Sequence, residues 1–252
     1  MPFVCMVEAH GLLGPVNGLL LPGGAAKQSQ IMAQELVPLG DSAFVVRVDD
    51  SLGEVLTTAR KLAAAGLEDV EEIVPAFASV GVFFRSPPDP DRAAAEILSA
   101  LRRRTRSGFR LTKPRLIEIP VCYAPEFALD LEAVAEHCRL SPNEIVKAHA
   151  ACRYRVRCVG FTPGFPYLSG LPPQLAMPRR ATPRTSVPAG SVAIGGTQTG
   201  IYPLLSPGGW NIIGRTPLRL FDPARAPAGL VRAGDKVRFR AISALQFKQW
   251  AS

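Results

Sequence analysis

The sequence predicts an α+β protein of two units: a small split β-α-β domain, then a β-rich domain of short strands and sharp turns. Three observations carry this reading. Residues 34–110 alternate strand-like and helix-like patterns. Residues 160–217 hold ten glycines and ten prolines in 58 residues, a density that neither helices nor long central strands tolerate. A chain of 252 residues, 47% hydrophobic and 20% charged, is globular and long enough for one large core or two ordinary ones.

The elements follow in chain order. The opening "MPFVCMVEAHGLLGPVNGLLLPGG" has no basic residue before Lys27, so it lacks the charged start of a secretory signal. Residues 1–30 read as a loose extension, residues 31–112 as the α+β domain and residues 113–252 as the β-barrel domain. "SAFVVRV" (42–48) is β-branched and aromatic, a strand. "LGEVLTTARKLAAAG" (52–66) has helical spacing and stops at Gly66. "VEEIVPAF" and "SVGVFF" read as two strands joined by a short turn. Residues 89–104 form a second helix with acids in its first turn and arginines in its last, which suits the helix dipole.

"RLIEIPVCY" (115–123) is a strand leading into different territory. Asp130 is placed to cap a helix over "LEAVAEHC", and "SPNE" (141–144) reads as a capping box with Pro142 at the first helical position. "YRVRCVGF" alternates its faces as a strand does. The Gly/Pro-dense region then implies short strands of a β-barrel or a compact β-rich domain, with "SPGG" (206–209) as a type II turn and "DKVRFRAIS" (235–243) as a closing strand.

Charge narrows the chemistry. The formal net charge is +8, yet no aspartate or glutamate occurs between Ile145 and Phe221, a stretch with nine lysines and arginines. The rest of the chain is nearly neutral. The arginines are scattered among prolines and not clustered with aromatics on one face, which argues against nucleic acid and for a carboxylate, a phosphate or an acidic partner. No apolar run is long enough for a membrane span. The five cysteines are odd in number and form no Cys-x-x-Cys pair, so they read as reduced thiols of a cytoplasmic protein. His10, His137 and His149 are too far apart in sequence to form a metal motif, and no metal is expected.

Within "GGTQTGIYPLLSPGGWNIIGRTP" (195–217), Gly195 and Gly200 have phosphate-loop spacing, but Ile201 and Tyr202 stand where lysine and a hydroxyl residue are required. An acid-free surface supplies no carboxylate base, so any such group comes from Asp41, Asp222 or a second protein. The candidate ligand contacts are Gln198 and Thr199 between glycines, the Tyr202 phenol and the Arg215 fork. Turn chemistry is the alternative for this stretch, and packing is the expectation for Phe165 and Trp210. His149, near a helix C-terminus, is either a terminal helix contact or a general acid–base.

The run from "VGFTPGFPYLSGLPP" through "IGGTQTGIYPLLSPGGWNIIGRTPLRLFDP" resembles the allophanate hydrolase subunit 1, or KipI, family, whose bacterial members include the B-type subunit of 5-oxoprolinase. "VPLGDSAFVVRV", "EEIVPAFASVGVFF" and "HAACRYRV" are similar to its earlier blocks, so the resemblance runs from about residue 36 to about 240. It implies an N-terminal α+β unit and a cyclophilin-like β-barrel. It implies cytoplasmic work beside a second polypeptide of cyclophilin-like barrels, the C-type subunit of 5-oxoprolinase, and a third of the A type. The pair of barrel proteins is similar to the carboxyltransferase portion of urea carboxylase. The activity so implied opens the lactam of 5-oxoproline to glutamate, with ATP as co-substrate and no covalently bound cofactor. Two further readings follow from the same family: inhibition of a histidine kinase, and a place in an allophanate or urea-carboxylating system. The residues assigned on this reading are His149 as catalytic and Gln198, Thr199, Tyr202 and Arg215 as substrate-binding.

Overall fold

The computed structural model describes residues 35–103 and 113–251, which fall in two compact units. The expected extension over residues 1–30, with Cys5 and His10, lies outside the described residues.

The first unit comprises β1 (Leu36–Leu39), β2 (Ala43–Arg47), α1 (Leu52–Ala65), β3 (Val70–Ala76), β4 (Ser79–Phe84) and α2 (Pro90–Arg102). Its sheet has the order β1-β2-β4-β3. Both β2 and β3 run antiparallel to β4, which lies between them. The β2-α1-β3 unit is therefore parallel and split by a strand, as its pattern predicts. Alternation puts Phe44, Val46, Val80, Val82 and Phe84 on one face, where they pack with Val55, Leu62 and Ile97 of the helices. Gly66 ends α1 at φ 61, a left-handed value that a residue with a Cβ resists. The Asp89 side chain accepts from the Arg92 amide at 2.8 Å and caps α2. Sequence pattern misses β1: it is a four-residue edge strand containing a proline, and only its pairing with β2 defines it.

The second unit contains β5 (Leu116–Cys122), α3 (Leu131–Cys138), α4 (Pro142–Ala151), β6 (Arg153–Val159), β7 (Pro166–Ser169), β8 (Arg184–Val187), β9 (Ser191–Gly195), β10 (Gln198–Ile201), β11 (Ser206–Gly208), β12 (Asn211–Arg215), β13 (Lys236–Ile242) and α5 (Ala244–Ala251). Seven strands close a barrel in the order β10-β7-β6-β13-β5-β12-β9. The expected closing strand is β13. It pairs in parallel with β5 along its whole length and antiparallel with β6. Ile119, Val121, Val156, Leu168, Val192, Ile194, Ile201 and Ile213 point inward and fill the barrel. The capping box of α4 forms as its sequence requires: Ser141 Oγ accepts from the Glu144 amide, and Glu144 accepts from the Ser141 amide at 2.7 Å. The Ser141 hydroxyl, which also donates to the Glu144 carboxylate at 2.6 Å, and then the Ser141 amide hold that carboxyl below the ordinary carboxylate range.

One turn differs from expectation. "SPGG" forms no type II turn, which needs a positive φ at Gly208; Gly208 is not among the positive-φ glycines, and Ser206–Gly208 is a strand paired with β8. The reason is steric. A Cβ on Gly208 would fall 2.2 Å from the Tyr202 hydroxyl, so the glycine makes room for the phenol instead of supplying a turn.

Candidate functional site

Strand β10 divides the expected site residues between two faces, because successive side chains on a strand point in opposite directions. Thr199 and Ile201 face the barrel core; Gln198, Gly200 and Tyr202 face outward. The structure therefore unites Thr199 with His149, groups Gln198 and Tyr202 on the other face, and leaves Arg215 on another strand.

On the inner side, α4 delivers His149 into the core, wholly buried and stacked on Phe239 at 4.5 Å. Its Nε2 lies 3.0 Å from Thr199 Oγ1 and its Nδ1 lies 2.9 Å from the Tyr123 hydroxyl. Thr199 Oγ1 donates to the Ala193 carbonyl at 3.0 Å, so it accepts from Nε2–H, and Nδ1 accepts from Tyr123. Burial pushes the His149 pKa down to about 3 and raises that of Tyr123. A helix C-terminus favours protonated imidazole by at most about 2 kcal/mol, and desolvation outweighs it. His149 is thus a neutral core residue with both nitrogens committed inside the protein. It does not stand as the charged helix-end group that its position in α4 suggests.

On the outer side, an aromatic panel covers the glycine-bearing strands. Phe165, Tyr167, Tyr202 and Trp210 pack edge to face, with Phe165–Tyr202 centroids 5.1 Å apart and Phe165–Trp210 centroids 5.6 Å apart. A Cβ at Gly195 would lie 2.5 Å from the Trp210 ring, and one at Gly200 would lie 2.9 Å from Phe165. These glycines let rings lie flat on the barrel wall. Phe165 and Trp210 are packing residues, as expected. Gly196, at φ 61 with open space around it, makes the β9–β10 turn and leaves Gln198 half-buried beside it. At the rim of the panel, the exposed Phe161 packs on both Phe165 and Tyr202.

Arg215 is half-buried and donates from Nε to the Ala189 carbonyl at 2.8 Å. The adjoining Gly190 amide donates to the Tyr202 carbonyl at 2.7 Å. Arg215 thereby fixes the turn that holds the end of β10. Of the two carboxylates considered as bases, Asp41 lies in the first unit, whereas Asp222 pairs with Arg219 and accepts from the Ala224 amide.

The residue that sequence reasoning misassigned is Asp130. It makes no helix cap. Its carboxylate, nearly buried, accepts from Arg180 Nη1 at 2.9 Å, from both terminal nitrogens of Arg184 at 2.8 Å and from the Ile212 amide at 2.7 Å. Charge-assisted bonds to two guanidinium groups outcompete one amide at a helix start. The signal was available in the charge map, since an acid-free stretch must borrow its counter-charge from outside. The arrangement binds the strap over residues 178–187 to α3 and β12. Beside it, Arg179 lies over the Trp210 ring, 5.8 Å from its centroid. Tyr202 feels both Arg179 and Arg184; burial raises its pKa, and those charges and the Trp210 backbone amide oppose the rise. The outer face thus combines a buried phenol and aromatic walls with a strap on which Arg180 and Arg184 share the Asp130 carboxylate.

Comparison with known proteins follows the same outline. The family model for the carboxyltransferase domain, subdomain C and D, matches residues 34–231. The chain is 39% identical over 224 residues to the B-type subunit of 5-oxoprolinase from Bacillus subtilis, covering 83% of this chain and 93% of that one. The solved structure of TTHA0988 is similar at 36% identity and a TM-score of 0.67, over 80% of this chain but only 40% of that longer one. The urea carboxylase of Kluyveromyces lactis, 17% identical, aligns with a TM-score of 0.68 over 86% of this chain and 22% of its own, a likeness of fold alone.

Proposed function

Because the chain belongs to the carboxyltransferase C/D family, and within it to the B-type 5-oxoprolinase proteins, we propose that it is a subunit of an ATP-dependent 5-oxoprolinase. The observation that carries this is the 39% identity with the Bacillus subtilis protein over 83% of this chain and 93% of that one. The barrel agrees with such a role. A lactam is a poor electrophile, and transfer of the ATP γ-phosphoryl group to its oxygen turns that oxygen into a leaving group. Water then adds at the carbonyl carbon, cleavage of the C–N bond opens the ring and leaves an acyl phosphate, and a second water releases phosphate to give glutamate. The substrate carries a carboxylate throughout, and an arginine-rich surface free of acid binds and orients it.

In this scheme Gln198 and Tyr202 face the substrate from the outer side of β10. Thr199 and His149 hold that strand from behind, and Arg215 holds the turn at its end. The carboxylate that activates water and the nucleotide site belong to partner proteins of the A and C types. The test is reconstitution: the chain mixed with the products of neighbouring 5-oxoprolinase genes releases glutamate from 5-oxoproline only when ATP is present. A complete mixture that turns over no 5-oxoproline overturns the proposal.

A further inference from the structure

We propose that the outer face of strands β6 and β13 docks an acidic protein surface presented by a partner subunit. The inference rests on the functional reading above only for the existence of partner subunits. The face itself is defined by register, charge and exposure.

Alternation along β6 turns Tyr154, Val156 and Cys158 into the barrel and leaves Arg153, Arg155 and Arg157 on the outside. Along β13 it turns Val237 and Phe239 inward and leaves Lys236, Arg238 and Arg240 outside. The two strands are neighbours, so six cations share one wall. Their pairing sets Arg155 directly opposite Lys236 and Arg153 directly opposite Arg238. Directly opposed side chains have Cβ atoms about 4.5–5.5 Å apart, and like charges in that position destabilise a sheet. The fold carries two such pairs side by side.

Little on the neighbouring strands offsets them. Strands β7, β6, β13 and β5 contain one acidic residue, Glu118. Glu118 stands opposite Arg238 across β5 and β13, but its carboxylate accepts from Arg240 Nε at 2.8 Å. Arg155 donates from Nη1 to the Gly234 carbonyl at 3.2 Å, a neutral acceptor that leaves its charge uncancelled. Asp235, next to Lys236 in sequence, is buried and accepts from Arg115. Among the described residues no carboxylate pairs with Arg153, Arg155, Lys236 or Arg238.

The occupant follows from the kind of cation and from what surrounds it. Five of the six are arginines, whose forks match carboxylates and which are enriched at protein interfaces, where lysine is depleted. A strand spaces them about 6–7 Å apart in a row, so the pattern is rigid and faces outward. Tyr154 and Phe239 are turned inward, so neither strand presents an aromatic ring for stacking on nucleobases. Leu116, 54% exposed and opposite Lys236 on β5, adds an apolar contact at the border.

Arg153→Glu is the informative variant, because it turns the opposition with Arg238 into an opposite-charge pair. In the full chain alone its thermal unfolding midpoint stays level or rises. Its association with the purified A-type or C-type subunit, followed by surface plasmon resonance at low salt, weakens about 10-fold through the on-rate, as when a steering field is reduced. The loss shrinks as salt screens charges more than about 10 Å apart at about 0.1 M. Arg238→Gln weakens association in the same direction by a smaller factor. Arg102→Glu, exposed on α2 of the first unit, makes the same change in net charge and leaves association unaltered. Equal effects from Arg153→Glu and Arg102→Glu, or no effect of Arg153→Glu on either subunit, overturn the docking face. A lower midpoint in both Arg153→Glu and Arg238→Gln does so too, since the chain itself then uses these cations. Uptake of single-stranded RNA or phosphatidylserine vesicles by the native chain, abolished by Arg153→Glu while subunit association is unchanged, gives the face to another partner and ends the proposal. A complex that turns over 5-oxoproline and holds Arg153→Glu as tightly as the native chain sinks this inference and leaves the function standing. Weakened association of Arg153→Glu in a complete mixture without turnover does the reverse.

Discussion

At the scale of single residues, His149 shows how burial overrides a chemical stereotype. A histidine near a helix end in a candidate site invites an acid–base role, yet this one is neutral, stacked and bonded through both nitrogens. Its folded pKa of about 3 lies below the unfolded value near 6.5. The unfolded chain therefore binds the extra proton first. The stability that neutral His149 contributes is full above pH 6.5 and is lost as pH falls toward 3, by about 1.4 kcal/mol per pH unit. Urea unfolding at stepped pH should show this slope in the native chain and lose it in His149→Gln. Thr199→Val leaves Nε2–H buried without an acceptor and should cost about 1–3 kcal/mol at pH 7 in the same assay. None of this was legible in sequence, because the partners of His149 lie 26 and 50 residues away. The packing of Phe165 and Trp210 was legible, since large rings among glycines have few alternatives to lying on the glycine-bearing wall.

At the scale of elements, local signals held where local physics dominates. The capping box at Ser141–Glu144, the glycine stop at Gly66 and the strand–helix alternation of the first unit are each decided within a few residues. They failed where a distant group competed for the same atoms. Asp130 has the sequence position of a helix cap, but two arginines of the strap claim its oxygens. Gly208 has the sequence of a turn, but a phenol claims its space. Asp130→Asn removes the charge that holds Arg180 and Arg184 and should destabilise the second unit by about 3–5 kcal/mol, as for a broken buried ion pair. Limited proteolysis should then cut first within residues 178–187. A native cleavage pattern and unfolding midpoint would show that the strap is held by something other than this ion cluster.

At the scale of the whole molecule, the barrel is closed by its ends. Asp235, 1% exposed, accepts from the Arg115 guanidinium and from the Arg115 and Arg232 amides, which sets β5 and β13 in register across 120 residues. Asp235→Ala removes those acceptors together, and urea denaturation should record a loss of about 2–4 kcal/mol from two or more hydrogen bonds to a charged group. An unchanged midpoint would assign the register to side-chain packing alone. Closure of this kind depends on contacts far apart in sequence, which is why "DKVRFRAIS" could be recognised as a strand but not placed between β5 and β6.

Local propensity and composition were enough to establish the α+β class, the split β-α-β unit, a domain of short strands and a basic region without acids. Each depends on backbone preference or on counting charges, and neither needs a partner to be known. Which glycines serve rings and not ligands, which aspartate neutralises the strap and why His149 stays neutral were decided only in the folded chain. Those outcomes turn on competition among distant groups for one volume, one lone pair or one charge, and such competition exists only once the strands are closed.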